Sequence, residues 1–127
     1  MPQPLRPYAF VLAVPDLIRA SDYFRDALGF EMRWPEASDW RLLSRGSVNV
    51  MIGRCPNALS PAETGDHNYF GYVEVDNVDT LYAEFQERGA IIRQAPEDRP
   101  WRMREMLIAT PDGHRMMIAQ QLAPAAS

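Results

Sequence analysis

The residues best suited to recognition chemistry are a few carboxylates and large aromatics at short spacing. Tyr72 and Glu74 are two apart, Trp101 and Glu105 four apart, and Trp40, Phe70 and Met117 lie elsewhere. A partly buried carboxylate pairs with a cation, or takes a proton once burial has raised its pKa. Indole and phenol rings stack on planar groups or hold a cation over their faces. Glu74 is the most informative of the charges, with a pairing to Arg115 or plain solvation as its bland alternatives, and Glu105 carries the same two readings. The two histidines, His67 and His114, fall in a loop and beside a Pro-Asp-Gly turn, where exposed polar residues are expected. The lone Cys55 has no histidine near it in sequence and reads as an incidental thiol.

The elements that position these groups come in two copies. One constant shift along the chain carries Val14 onto Val75, Leu17 onto Val78, Ala20 onto Leu81, Phe24 onto Phe85 and Trp40 onto Trp101. Such internal similarity marks a duplicated supersecondary unit. Each copy reads β-α-β-β-β, over residues 8–54 and 69–120, with a linker at 55–68 that is rich in Pro, Ser, Thr and Gly.

In the first copy, strands are expected over Tyr8–Val14, Phe30–Trp34, Trp40–Ser44 and Ser47–Ile52. Asp16 is placed to cap a helix over Leu17–Leu28, and Gly29 to end it. In the second copy the strands are Tyr69–Val75, Ile91–Gln94, Met103–Ala109 and His114–Ala119, with a helix over Val78–Arg88. The fold class is therefore α+β, a curved, mostly antiparallel, open barrel-like sheet of eight strands with its helices outside.

Successive strand residues point to opposite faces. Val48, Val50 and Ile52, with Val73 and Val75, should pack on the helices. The opposite faces then carry Ala9, Val11, Ala13, Asn49, Met51, Phe70, Tyr72, Glu74, Met117 and Ala119. If each sheet curls away from its helix, these residues line a hollow in which the small alanines leave space for a ligand.

Composition narrows the partners. A net charge of −4 without a Lys or Arg cluster argues against nucleic acid, which needs a basic face. No apolar run approaches the roughly 18 residues of a membrane span, and the start MPQPLRPY lacks the apolar stretch of a signal peptide. A cytoplasmic location is expected, and a single cysteine agrees with it.

FVLAVPDLIRASDYFRDALGF, and VEVDNVDTLYAEFQERG followed by PWRMREMLIATPDGHRMMIAQ, resemble the vicinal oxygen chelate superfamily of glyoxalases, dioxygenases and bleomycin-resistance proteins, with the second half similar to the last of these. The resemblance implies paired βαβββ modules, usually in a homodimer whose clefts lie between modules. Its metal enzymes hold a divalent ion with His or Glu at four strand positions, which fall here on Ala9, Asn49, Phe70 and Met117. None of these suits a hard cation.

The expectation is thus a metal-free and cofactor-free protein with no catalytic residue assigned, binding a small aromatic or cationic molecule in the manner of bleomycin-type resistance proteins. Trp40, Asn49, Phe70, Tyr72, Glu74, Trp101 and Met117 are the candidate ligand contacts. An enzyme of the same superfamily, a lyase, isomerase or oxygenase using Glu74 or Tyr72, is the alternative.

Overall fold

In the computed structural model, residues 3–33, 39–61 and 68–123 are described. Chain order is β1 (Phe10–Val14), α1 (Leu17–Asp26), β2 (Glu31–Met32), β3 (Trp40–Arg45), β4 (Val48–Arg54), β5 (Gly71–Glu74), α2 (Val78–Arg88), β6 (Ile91–Asp98), β7 (Met103–Ala109) and β8 (Arg115–Gln121). The duplicated order is present, and both copies have the same topology. One sheet runs β1-β4-β3-β2 and the other β5-β8-β7-β6. In each, the first strand pairs in parallel with the fourth and the remaining pairings are antiparallel. The eight strands form two sheets of four, and the sheet does not close.

Helix ends follow from local chemistry. Asp16 accepts a hydrogen bond from Arg19 N at 3.0 Å, and Asn77 accepts one from Thr80 N at 3.1 Å, each satisfying a backbone donor that has no partner within the first turn. Beyond the far ends, Gly29 (φ 73°) and Gly89 (φ 81°) take the left-handed conformation. Phe30 N then reaches back to Phe24 O, and Ala90 N to Phe85 O, at 2.9 Å in both cases.

Several boundaries differ from expectation. Helix α1 stops at Asp26 rather than Leu28, because Ala27 N and Leu28 N both turn onto Tyr23 O before Gly29 reverses the chain. Strand β1 begins at Phe10 and β5 at Gly71, each two residues late, where the parallel pairing with β4 or β8 begins. Strand β2 is two residues long; Trp34, assigned to it from sequence, lies outside the described residues, as does His67. Strand β6 runs on to Asp98, with register shifts at Gln94 and Glu97 that keep it paired to β7 past Pro96.

Alternation sorts the core as expected. Val50, Ile52, Met106, Ile108, Met116 and Ile118 are buried with Leu17, Phe24, Val78 and Phe85 of the helices, in one cluster spanning both modules. Polar links cross the same seam. The Tyr23 hydroxyl donates to Ala109 O at 2.7 Å and accepts from Ile91 N at 2.9 Å, while Arg45 grips Glu84 through two bonds of 2.7 and 2.9 Å. The two modules thus share a core within one chain, and their other sheet faces are left open on the outside. No helix among the described residues is long and apolar enough to cross a membrane.

Candidate functional site

The outer face of the second sheet holds a hollow of about 600 Å³, lined by Tyr69, Tyr72, Gln94, Arg99, Trp101, Glu105, Leu107 and Met117. Tyr72 comes from β5, Met117 from β8, Glu105 and Leu107 from β7, and Gln94 from β6. Arg99 and Trp101 stand on the connection between β6 and β7. That connection turns tightly: Arg102 N donates to Arg99 O at 3.1 Å and Arg99 N to Met103 O at 2.8 Å, with Arg102 itself left-handed (φ 66°). A non-glycine residue in that region is uncommon and costs free energy. Its effect is to hold Trp101 over the sheet instead of letting the hairpin continue flat.

Glu105 organises the hollow. Its side chain lies on the outer face yet the residue is only 3 % exposed, beside the small Ala119 with which it pairs in register. Its Oε2 accepts from the Tyr72 hydroxyl at 2.6 Å and from Trp101 Nε1 at 2.9 Å, while Arg99 Nε lies 3.5 Å from Oε1. A second tie runs from Arg99 to Gln94 Oε1 at 2.8 Å. The aromatic rings remain available: Tyr72 is 43 % and Trp101 61 % exposed. Burial of the hydroxyl, followed by the Glu105 hydrogen bond and charge, pushes the Tyr72 pKa up to about 12, so the phenol stays protonated and donating at neutral pH. The result is two exposed rings whose polar edges are fixed by one shared carboxylate, itself neutralised by a guanidinium.

Of the residues singled out from sequence, Tyr72, Trp101 and Met117 meet here. Trp40 and Asn49 sit instead on the outer face of the first sheet, where the Trp40 ring covers Gly53 and Asn49 Nδ2 donates to Tyr8 O at 2.9 Å. Phe70 packs edge-on against Phe10, ring centres 5.6 Å apart, in the seam between modules. It precedes the first residue of β5, so strand alternation does not extend to it. Gly71 beside it is bare because a Cβ there would come within 2.9 Å of the Phe10 ring. Glu74, exposed at the end of β5, borders a different crevice of about 410 Å³ whose walls include Val48, Val73, Leu81, Phe85 and Met116.

Gln94, Arg99 and Leu107 were not anticipated, and Glu105 was ranked below Glu74. Alternation along β7 carried the signal, since the aliphatic pair Met106 and Ile108 puts Glu105 and Leu107 on the face shared with Tyr72 and Met117.

His114 corrects the sequence reading of an exposed loop residue. It is 7 % exposed: its N–H donates to Thr110 Oγ1 at 3.2 Å, its Nδ1 lies 3.5 Å from the same oxygen, and burial lowers its pKa. The turn Thr110 to Gly113 folds the ring inward rather than presenting it to water. Cys55 is exposed with a free thiol.

A divalent ion at the four superfamily positions has no fitting donors. Ala9 offers a methyl group, Asn49 at most one neutral amide oxygen with its Nδ2 held by Tyr8 O, Phe70 is wedged on Phe10, and Met117 presents a thioether. Among the described residues, no three of His, Cys, Asp or Glu converge as a ligand set elsewhere.

The profile of the glyoxalase/bleomycin resistance protein/dioxygenase superfamily matches residues 7–118. The chain belongs to that superfamily. Solved structures of this superfamily's fold are similar over nearly the full length. TioX from Micromonospora sp. ML1 is 28 % identical, covering 88 % of this chain and 95 % of its own, with a TM-score of 0.69. A glyoxalase/bleomycin resistance protein/dioxygenase from Alicyclobacillus acidocaldarius is 13 % identical, covering 97 % and 96 %, with a TM-score of 0.77. Another from Nocardioides is 17 % identical, covering 98 % and 91 %, with a TM-score of 0.69. The last two show likeness of fold alone. No curated protein matches the chain.

Proposed function

We propose that this superfamily member is a metal-free small-molecule binding protein of the bleomycin-resistance type, sequestering a planar aromatic ligand on the outer face of its second module. The observation that carries the reading is the Tyr72–Glu105–Trp101 network. A buried carboxylate fixes two ring edges and leaves their surfaces uncovered, a preorganised stacking platform beside Leu107 and Met117. A hollow of about 600 Å³ is within the range that small-molecule sites occupy.

The site is open to one side, and the first module's outer face, with exposed Val11 and Trp40, is open too. A homodimer that lays the first module of one copy over the second module of the other covers both. The superfamily resemblance supports that arrangement, and a cytoplasmic location and resistance to an aromatic drug are further parts of the same proposal. Sedimentation equilibrium checks the assembly, with a dimer expected.

Fluorescence titration with 2-methylnaphthalene tests the site. Saturable binding is expected, equal before and after treatment with EDTA, and weakened by about tenfold or more in Trp101→Ala, as loss of an aromatic contact and its buried area implies. Binding that depends on added metal, or that Trp101→Ala leaves intact, refutes the reading.

A further inference from the structure

Duplication places two equivalent crevices at the seam between the modules, and the two are filled differently. The shift that carries Val14 onto Val75 also carries Ala13 onto Glu74 and Phe10 onto Gly71. Phe10 pairs in register with Val50 and Gly71 with Met116, so Val48, two residues before Val50, corresponds to His114. In one half of the molecule the His114 ring is buried and donates to the Ala13 backbone of β1. The space left beside it, where Ala58 and Leu59 of the linker also stand, is about 200 Å³. In the other half Val48 has no ring to reach across, and the crevice beside it is about 410 Å³ with Glu74 in its lining.

The backbone of Glu74 is thus the counterpart of the one that His114 engages. Strand β5 ends its sheet and pairs with β8 alone. Val75 N donates to Ala119 O at 2.9 Å, and the peptide groups of successive strand residues turn to alternate sides, so those of Glu74 face the free edge. Among the described residues, no backbone donor from outside the sheet reaches the Glu74 carbonyl. The walls are otherwise largely apolar, with Val73, Leu81, Phe85 and Met116. Arg45, the cation in the lining, is already bonded to Glu84 and to Leu28 O.

We infer that this crevice is a second ligand site, taking a small apolar azole that stands where His114 stands in the other half and donates its ring N–H to Glu74 O. The inference is independent of the stacking site on the outer face. An anion fits poorly, because Arg45 is committed and Glu74 adds negative charge at the rim. A ring of the same shape without an N–H fills the walls but leaves the carbonyl unanswered.

Benzimidazole and 1-methylbenzimidazole differ in that donor, and methyl chemical-shift mapping tells the crevice from the outer hollow. In the wild-type protein, benzimidazole should move the methyl groups of Val48, Val73, Leu81 and Met116 together and saturably. It should bind there about fivefold or more tightly than the methyl compound, the worth of one hydrogen bond. Val48→His supplies the missing imidazole from the chain itself and should abolish the benzimidazole shifts at Val73, Leu81 and Met116. The wild-type comparison decides the matter even where that variant does not fold. Equal affinities of the two compounds, shifts confined to Leu107 and Met117, no shifts at all, or unaltered crevice binding in folded Val48→His each overturn the inference.

Discussion

Replacing Glu105 perturbs one buried carboxylate and, through it, three partners. Glu105→Ala leaves the Tyr72 hydroxyl and Trp101 Nε1 without their shared acceptor and the Arg99 guanidinium without its nearest buried counter-charge. Breaking a fully buried ion pair costs about 3–5 kcal/mol, and a hydrogen bond to a charged group about 1.5–3 kcal/mol. Here the full cost is not paid, because Tyr72 and Trp101 are exposed enough for water to reoccupy their polar edges, and Arg99 keeps Gln94 Oε1. A net loss of about 2–3 kcal/mol is expected. For a chain of this size each kcal/mol shifts the melting temperature by about 3–4 °C, so the variant should melt roughly 6–12 °C lower by calorimetry. Glu105→Gln, which keeps one side-chain oxygen, should lose about half as much. The Tyr72 pKa supplies a second readout: freed of the carboxylate it should fall from about 12, though not fully to 10, since burial of the hydroxyl remains. Tyrosine ring carbon shifts followed against pH resolve it from the other tyrosines. Melting within about 2 °C of wild type, together with an unmoved Tyr72 titration, would refute the view that Glu105 organises the site.

Other consequences are equally direct. Gly71→Ala drives a methyl group into the Phe10 ring at the seam, and overpacking of that kind should cost about 1–3 kcal/mol in chemical denaturation, with Phe10→Leu in the same chain recovering part of it. His114 is held neutral by burial, so its folded pKa lies below its unfolded value of 6.5. The unfolded chain then binds the extra proton first as pH falls. Stability should be level above that value and decline below it, and His114→Gln should flatten that part of a denaturation–pH profile.

Much of the fold was legible because duplication, capping and alternation are local signals. Asp16, Asn77, Gly29 and Gly89 mark helix ends through their own backbone chemistry, and Val50, Ile52, Met116 and Ile118 identify the buried sheet faces by period alone. The candidate site was legible only in part. Tyr72, Trp101 and Met117 follow from alternation and from position in the repeat, whereas Phe70 lies before the first paired residue of β5 and Glu74, its last paired residue, is exposed and borders the other crevice. Glu105 looked unremarkable in one dimension because its importance comes from partners on β5 and the β6–β7 turn. Arg99 and Gln94 are recruited through register shifts in β6 and a left-handed Arg102, which no composition rule announces. His114 was misjudged for the reverse reason: a turn sequence signals exposure, yet the backbone bond to Thr110 closes the turn and the ring lies inward against the Ala13 backbone of β1.

The most direct measurement is methyl chemical-shift mapping of the protein with 2-methylnaphthalene. Occupation of the hollow predicts that the methyl groups of Leu107 and Met117 move together and saturably, while those of Val73, Leu81 and Met116 around the crevice between modules stay in place. Shifts centred on Val73, Leu81 and Met116, with Leu107 and Met117 unmoved, would contradict the account.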